Sequence, residues 1–323
     1  RRAITVGLAP GRRAAVASRG GAVEHLEGAG GGPAAHLKLI RPHQWLKNVL
    51  IALPLLAAHD LSAASWGVAL LAFAAFSAVA SAVYVLNDLL DVAADRAHPR
   101  KRLRPLAAAT VPLARATAMA PALVALGALL ALATGSLAFL GVMALYLVLT
   151  TAYSLALKRR VVIDICVLAG LYTLRIVAGG VATGTTLSVW LLAFSIFFFL
   201  SLAAVKRLGE LAALPEDGPG QAAGRAYRRD DRGIVATMAV AAGYLAVLVL
   251  ALYLDTPQVR ALYSEPALLW GVCPVLLYWV SRMALIADRG TMSDDPILFA
   301  LTDRASWAAG GLVLAIGLAA SLA

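Results

Sequence analysis

The chain has 323 residues, of which 61% are hydrophobic and 14% charged, with a mean hydropathy of +0.81 and a formal net charge of +10. Soluble domains carry about 25% charged residues, so this composition excludes a water-soluble globular protein. Apolar runs long enough to cross a bilayer recur along the chain, and the sequence therefore predicts an all-α integral membrane protein.

The N-terminal segment, residues 1–37, differs from the rest because it has no long apolar run and is rich in glycine, alanine and arginine. We interpret it as a linker or as the remnant of an upstream soluble domain. Residues 38–323 are predicted to form one transmembrane domain.

Nine apolar segments are predicted to cross the membrane as helices, and the first of them is interrupted by Pro54. They cover roughly residues 44–61, 66–87, 113–133, 137–157, 161–183, 187–210, 233–254, 266–287 and 305–323.

Connections rich in lysine and arginine alternate with connections that have few or none. The connections 88–112 and 206–232 are rich in both residue types, whereas the turns near 135 and 185 have neither. The positive-inside rule therefore predicts a multi-pass protein of the plasma membrane with a cytoplasmic N-terminus and an outside C-terminus. Because topology explains most of the positive charge, no nucleic-acid partner is expected.

The segment 87–95 reads NDLLDVAAD and follows the second predicted span. On a helix, Asp88, Asp91 and Asp95 are spaced by three and four residues, so they share one face and repel one another unless a cation lies between them. Mg²⁺ prefers carboxylate oxygens combined with substrate phosphates. The motif, with Asn87, predicts a site for Mg²⁺ and a diphosphate in which the three aspartates are metal ligands and catalytic groups. The alternative is a solvated loop in which they pair with nearby cations.

Asp164 is unusual because it begins a predicted span, and acids inside spans are rare and usually functional. Arg175 lies eleven residues further on, on the same helical face and roughly 16 Å deeper. The pair indicates a cavity that descends from the cytoplasmic face and receives an anionic group. The alternative is a structural ion pair with another span.

Other polar side chains are also predicted at the cytoplasmic surface. Arg41 and Lys47 either bind substrate or anchor the chain beside Trp45. Lys206 and Glu210 are four residues apart, so they either bind substrate or pair with each other.

Nine spans with NDxxDxxxD after the second resemble the UbiA superfamily of intramembrane prenyltransferases, over residues 38–323. The resemblance implies a helical bundle with a central cavity open to the cytoplasmic side, and Mg²⁺ that bridges the aspartates and a substrate diphosphate. Aromatic prenyltransferases of this superfamily carry a second aspartate motif after the sixth span, where this chain has KRLGEL.

The segments RPHQWLKN, YSLALKRRVVIDI and LRIVAGG, together with KRLGEL, make the chain similar to the decaprenyl-phosphate phosphoribosyltransferase branch. This resemblance implies a Mg²⁺-dependent transferase that moves phosphoribose from phosphoribosyl pyrophosphate to a polyprenyl phosphate for cell-wall biosynthesis. The candidates for the donor's second phosphate are Lys101, Arg102 and Arg104. The candidates for the lipid phosphate are Lys158, Arg175, Lys206 and Arg207. The candidates for the ribose hydroxyls or a second metal are Asp164, Glu210 and Tyr227, with Tyr153 as a further substrate-binding residue.

Two other functions remain open at this point. One is a prenyltransferase, with the diphosphate on the lipid and an aromatic or other acceptor. The other is a lipid-phosphate transporter, which would require polar residues that continue to the outer face. The glycine- and alanine-rich spans permit association of copies of the chain.

Overall fold

The computed structural model describes residues 3–6, 18, 23–26, 32–97, 101–214, 220, 225–292 and 295–322. It divides into two compact units. The first comprises residues 1–49 and 67–143, and the second comprises residues 50–66 and 144–323.

A pair of short strands precedes the helices and was not predicted. Strand β1 (Ala3–Val6) pairs in parallel with β2 (Val23–Leu26), with Ala3 opposite Val23. β-Branched residues such as those of AITV favour strands. The predicted linker 1–37 thus contains two strands and the beginning of a helix, and its residues 1–2, 7–17, 19–22 and 27–31 lie outside the described residues.

The remaining regular structure is helical. The α-helices are α1 (Pro33–Ile40), α2 (Leu53–Ala57), α3 (Ala63–Leu90), α4 (Val92–Ala97), α5 (Leu113–Ala133), α6 (Leu137–Leu155), α7 (Ile163–Thr183), α8 (Val189–Ala212), α9 (Arg232–Leu254), α10 (Pro257–Leu262), α11 (Val272–Asp288), α12 (Pro296–Thr302) and α13 (Arg304–Leu322). The 3₁₀ helices are Pro42–Ala52, Lys101–Leu103, Leu157–Arg159, Arg229–Asp231 and Pro266–Gly271.

In the described part of the chain, 8 helices are long and apolar enough to cross a membrane. They are α3, α5, α6, α7, α8, α9, α11 and α13, and they coincide with eight of the nine predicted spans. The first predicted span, 44–61, is instead the 3₁₀ helix Pro42–Ala52 followed by the short helix α2. Pro54 lacks an N–H group and therefore favours the first turn of a helix, which is its place in α2. A ninth span remains a prediction.

The first unit holds the acidic motif where α3 ends. Leu39 of α1, Val85 of α3 and Ala116 of α5 belong to one buried apolar cluster. Gly127 of α5 lies so close to α3 that an added Cβ would be 3.0 Å from the carbonyl oxygen of Ala75. This close approach fixes the helix that carries the motif.

The second unit positions Asp164 and Arg207 through close contacts of α7 and α8. Gly179 of α7 lies against the backbone of Ile51, where an added Cβ would be 2.0 Å from the carbonyl oxygen. Gly243 of α9 lies close to α8, because an added Cβ there would be 3.0 Å from Oγ of Ser201. Close approach of neighbouring segments, in addition to apolar burial, therefore holds α7 and α8, the helices that carry Asp164 and Arg207.

Candidate active site

The acidic motif of the first unit lies at the junction of α3 and α4. Backbone hydrogen bonds of helical spacing continue through the junction, from Asp91 N to Asn87 O at 2.9 Å and from Asp95 N to Asp91 O at 2.8 Å. Asp88 and Asp95 are buried, with 2% and 3% of their surface exposed. Asp91 and Asn87 are partly buried. The backbone thus keeps helical spacing through the motif, and two of its three carboxylates, those of Asp88 and Asp95, lie in the interior.

Arg104 joins the two buried carboxylates. Its Nη1 atom is 2.8 Å from Oδ2 of Asp95 and 3.3 Å from Oδ1 of Asp88. Arg41 also contacts Asp88, with Nη2 at 2.5 Å from Oδ1, and its guanidinium lies 5.2 Å from the centre of the Tyr84 ring. Buried carboxylates require such partners because an unpaired charge in an apolar interior is costly.

The arrangement of Asp88 and Asp95 fits a divalent cation. Both carboxylates approach the same nitrogen of Arg104, and a site that attracts one cation with two carboxylates offers the ligand type that Mg²⁺ prefers. Among the residues that the structure describes, no group of three or more His, Cys, Asp and Glu side chains is placed to hold a metal ion. Asp88 and Asp95 are therefore the two carboxylates that the structure brings together, and Asp91 remains a predicted ligand.

Asp164 is the centre of a second polar cluster, in the second unit. It lies in the first turn of α7 and is completely buried. Its Oδ1 atom accepts a hydrogen bond of 2.6 Å from the hydroxyl of Tyr227, which in turn accepts one of 2.7 Å from the backbone N–H of Val162. Val162 has a φ of 65°, so the turn before α7 is held in a left-handed conformation that is rare outside glycine.

Tyr227 lies in the connection that follows α8, and only 1% of its surface is exposed. Burial and the hydrogen bond to Asp164 raise the pKa of Tyr227 far above its usual value. Both effects favour the protonated phenol, which is the form that donates to Asp164.

Arg207 of α8 is also completely buried and contacts two carboxylates. Its Nη2 atom is 2.7 Å from Oδ2 of Asp164, and its Nη1 atom pairs with Glu210 one helical turn later. The guanidinium lies 5.6 Å from the centre of the Tyr227 ring. Arg207 therefore contacts Asp164, Glu210 and Tyr227, the three residues that were predicted as one group. Arg207 itself was predicted to bind a lipid phosphate.

Arg225 completes this cluster and was not among the predicted site residues. Its Nη1 atom donates to the hydroxyl of Tyr153 at 2.9 Å and to the carbonyl oxygen of Lys158 at 3.3 Å. It is also 3.9 Å from Asp164 and 3.9 Å from Glu210. The available signal was its position in RAYRR, two residues before Tyr227, which had already been selected.

Lys206 and Arg175 have other neighbours. Lys206 Nζ lies 3.7 Å from Oδ2 of Asp295, and the structure pairs Glu210 with Arg207. Arg175 is buried, and it donates to the carbonyl oxygen of Leu171 and, at 3.2 Å, to the hydroxyl of Tyr146.

The remaining predicted residues differ in exposure. Lys101 and Arg102 are exposed, on the short 3₁₀ helix that precedes Arg104. Lys158 is partly buried, and Lys47 is buried, on the 3₁₀ helix that follows Arg41.

Comparison with known proteins identifies several relatives. The model of the UbiA prenyltransferase family matches residues 48–302. The nodulation protein NoeC of Azorhizobium caulinodans is 41% identical over 289 residues, which cover 87% of this chain and 90% of that protein. The uncharacterized protein y4nM of Sinorhizobium fredii is 38% identical over 86% of this chain and 54% of its own length. A decaprenyl-phosphate phosphoribosyltransferase of Mycobacterium tuberculosis is 44% identical over 183 residues, which cover 54% of this chain and 59% of that protein. The matches thus span little more than half the length of the last two proteins.

Two solved structures share the fold. A UbiA homolog from Archaeoglobus fulgidus bound to DMAPP and Mg²⁺ has a TM-score of 0.64 and 17% identity, covering 88% of this chain and 98% of its own. Digeranylgeranylglyceryl phosphate synthase has a TM-score of 0.61 and 17% identity, covering 89% of this chain and 97% of its own. The helical fold implied by the sequence resemblance is confirmed.

Proposed function

The chain belongs to the UbiA prenyltransferase family, and we propose that it is a Mg²⁺-dependent membrane transferase that moves phosphoribose from phosphoribosyl pyrophosphate to a polyprenyl phosphate. The observation that carries the choice of phosphoribose is the polar cluster of the second unit. Two guanidinium groups, of Arg207 and Arg225, meet two carboxylates, of Asp164 and Glu210.

This cluster suits a hydroxylated and phosphorylated substrate. Glu210 and Arg225 retain 30% and 18% exposure of their side chains, whereas Asp164 and Arg207 are buried behind them. A carboxylate accepts hydrogen bonds from sugar hydroxyls, and a guanidinium binds phosphate with two parallel N–H groups. A prenyl diphosphate would offer phosphate oxygens to the guanidinium groups but no hydroxyl groups to the carboxylates. The 44% identity with the mycobacterial phosphoribosyltransferase supports the same choice.

The proposed reaction exchanges one bond at the anomeric carbon of ribose. The bond to pyrophosphate breaks, and a bond to a phosphate oxygen of the lipid forms, while pyrophosphate leaves with the electron pair. Because the lipid phosphate is already an anion, the protein needs no strong general base. When bound, Mg²⁺ would stabilise the negative charge that grows on the leaving pyrophosphate.

The residues of the chain take distinct parts in this proposal. Asp88 and Asp95 would hold Mg²⁺, with Asp91 as a further ligand. The proposed donor-phosphate residues are Lys101, Arg102 and Arg104, and the proposed lipid-phosphate residues are Lys158, Arg175 and Lys206. The cytoplasmic N-terminus, the outside C-terminus and the plasma-membrane location are part of the same proposal.

Prenyl transfer is the second candidate, and a specific likeness favours it. The Archaeoglobus fulgidus homolog that shares the fold was solved with DMAPP and Mg²⁺. In this alternative the bond between the diphosphate and an allylic carbon of the lipid would break, and a bond from that carbon to the acceptor would form as the acceptor loses a proton. Asp88 and Asp95 would hold Mg²⁺, and the second unit would bind the acceptor.

A two-substrate assay distinguishes the candidates. Protein purified in detergent receives Mg²⁺ and either labelled phosphoribosyl pyrophosphate with polyprenyl phosphate, or labelled prenyl diphosphate with aromatic acceptors. Our proposal expects label in the lipid product of the first reaction, lost with EDTA and in Asp95→Asn. Asp255→Asn is the matched control, because Asp255 is an exposed acid paired with Arg260. Product in the second reaction alone would select prenyl transfer.

A further inference from the structure

Two pairs of carboxylates in this protein each share one arginine. In the first unit, Arg104 contacts Asp88 and Asp95. In the second unit, Arg207 contacts Asp164 and Glu210. Since Mg²⁺ in proteins is bound by one or two carboxylates together with substrate phosphates, either pair is a candidate metal site by composition.

The arginine of the first pair can leave it. Arg104 lies outside the α-helices, in the connection between α4 and α5, and its side chain is 30% exposed. The guanidinium of Arg104 is partly open to water, whereas Asp88 and Asp95 are 2% and 4% exposed and need a positive charge beside them, which a divalent cation also supplies. A divalent cation can therefore take its place between Asp88 and Asp95.

The arginine of the second pair cannot leave it. Arg207 lies within helix α8, and its side chain has 0% exposure. It is enclosed by Asp164, Glu210 and the ring of Tyr227. Moving a divalent cation onto these carboxylates would leave a buried guanidinium beside a like charge, which is strongly unfavourable.

The open hydrogen-bonding positions of this cluster also do not match a metal. Within the described residues, Arg207 Nε, Arg207 Nη2 and Asp164 Oδ2 have no hydrogen-bond partner, although Nη2 and Oδ2 are close enough for an ion pair. A metal ion requires acceptor atoms, and here two of the three open groups are N–H donors. An oxygen that both accepts and donates, as in a hydroxyl group, fits them better.

We propose that Arg207 is a built-in cation that replaces a metal ion at the Asp164–Glu210 pair, so that the protein binds one divalent cation per chain, at Asp88 and Asp95. This inference rests on the metal site of the proposed function. Of the two roles predicted for Asp164, Glu210 and Tyr227, it favours contact with ribose hydroxyls over binding of a second metal.

Counting bound Mn²⁺ on the purified full chain, by electron paramagnetic resonance and calorimetry, tests the proposal. The wild type is expected to bind one ion per chain. Asp88→Asn weakens binding at least tenfold, whereas Asp164→Asn and Glu210→Gln leave the count and the affinity unchanged. Two ions per chain, with one lost in Asp164→Asn, would overturn the proposal and leave the proposed function intact. No bound ion would overturn both.

The variant Arg207→Gln provides a gain-of-site test. Removal of the Arg207 charge makes the carboxylates of Asp164 and Glu210 available to a metal ion, and the number of bound Mn²⁺ ions per chain is expected to rise to two. Arg232→Gln is the matched control, because Arg232 pairs with Asp288 at an exposed position and its removal should leave the count at one. If Arg207→Gln does not fold, the wild-type count and the Glu210→Gln count still decide the question, because Glu210 is 30% exposed.

Discussion

The Nη2 atom of Arg207 lies 2.7 Å from Oδ2 of Asp164, and both side chains have 0% exposure. An ion pair this deeply buried adds little net stability compared with apolar residues of the same size, but loss of one partner strands the other charge in the interior. The cluster is therefore expected to tolerate the replacement of both charges better than the replacement of one.

The first prediction follows directly from that asymmetry. Asp164→Asn is expected to lower the free energy of unfolding by up to about 3–5 kcal/mol, because Arg207 then keeps only the partly exposed Glu210 as its paired carboxylate. The double variant Asp164→Leu, Arg207→Met should recover much of the loss. Thermal unfolding in detergent measures both. A double variant whose loss equals or exceeds the sum of the losses in Asp164→Leu and Arg207→Met would refute the coupling.

The second prediction concerns Arg104 and the metal site. Arg104→Gln removes the cation that competes for Asp88 and Asp95, so the apparent affinity for Mn²⁺ is expected to rise several-fold. At the same time the KM for the donor rises, because a proposed phosphate-binding group is lost. Arg115→Gln is the control, since Arg115 is an exposed cation at the start of α5. Equal Mn²⁺ affinities of wild type and Arg104→Gln would show that Arg104 does not occupy the metal position.

The third prediction concerns the phenol of Tyr227. Tyr227→Phe leaves Oδ1 of Asp164 and the N–H of Val162 without this partner, and we expect a loss of about 1–3 kcal/mol in the free energy of unfolding. Tyr244→Phe removes an exposed hydroxyl that contacts Ser281 and should cost much less. Comparable melting temperatures for the two variants would contradict the role given to Tyr227.

The fourth prediction is a pH dependence at the junction of α12 and α13. Hydrogen bonds from Arg282 and Ser306 lower the pKa of Asp303 to about 2. Because the folded-state pKa lies below the unfolded value of about 3.9, this carboxylate stabilises the fold above pH ~4, and the contribution disappears as the pH falls towards 2. In Asp303→Asn that part of the pH dependence should vanish, as melting curves between pH 2 and pH 5 would reveal. An unchanged pH profile would contradict this assignment.

Much of the fold was predictable because the apolar spans are the strongest signal in the sequence. The eight long helices begin and end within a few residues of the predicted spans. Hydropathy alone also predicted a membrane-spanning helix over residues 44–61. This segment forms a 3₁₀ helix and the short helix α2 instead, because hydropathy does not report the periodicity of backbone hydrogen bonds. The strands β1 and β2 are too short to stand out from their glycine-rich surroundings.

The site was predictable only where its residues are close in sequence. The spacing of Asp88 and Asp95 predicted a shared face, and the two carboxylates do share Arg104. The contact of Arg41 with Asp88 joins residues 47 positions apart, and no local pattern specifies it. The same holds for Tyr227 and Asp164, which are 63 positions apart: both were selected for their chemistry, while their hydrogen bond required the fold.

The first measurement to make is the transfer of label from phosphoribosyl pyrophosphate to polyprenyl phosphate by the wild type and by Asp88→Asn. We expect a Mg²⁺-dependent lipid product with the wild type, and a rate lower by on the order of 100-fold with Asp88→Asn. A wild-type rate in Asp88→Asn, or label in the lipid only when prenyl diphosphate is the donor, would contradict it.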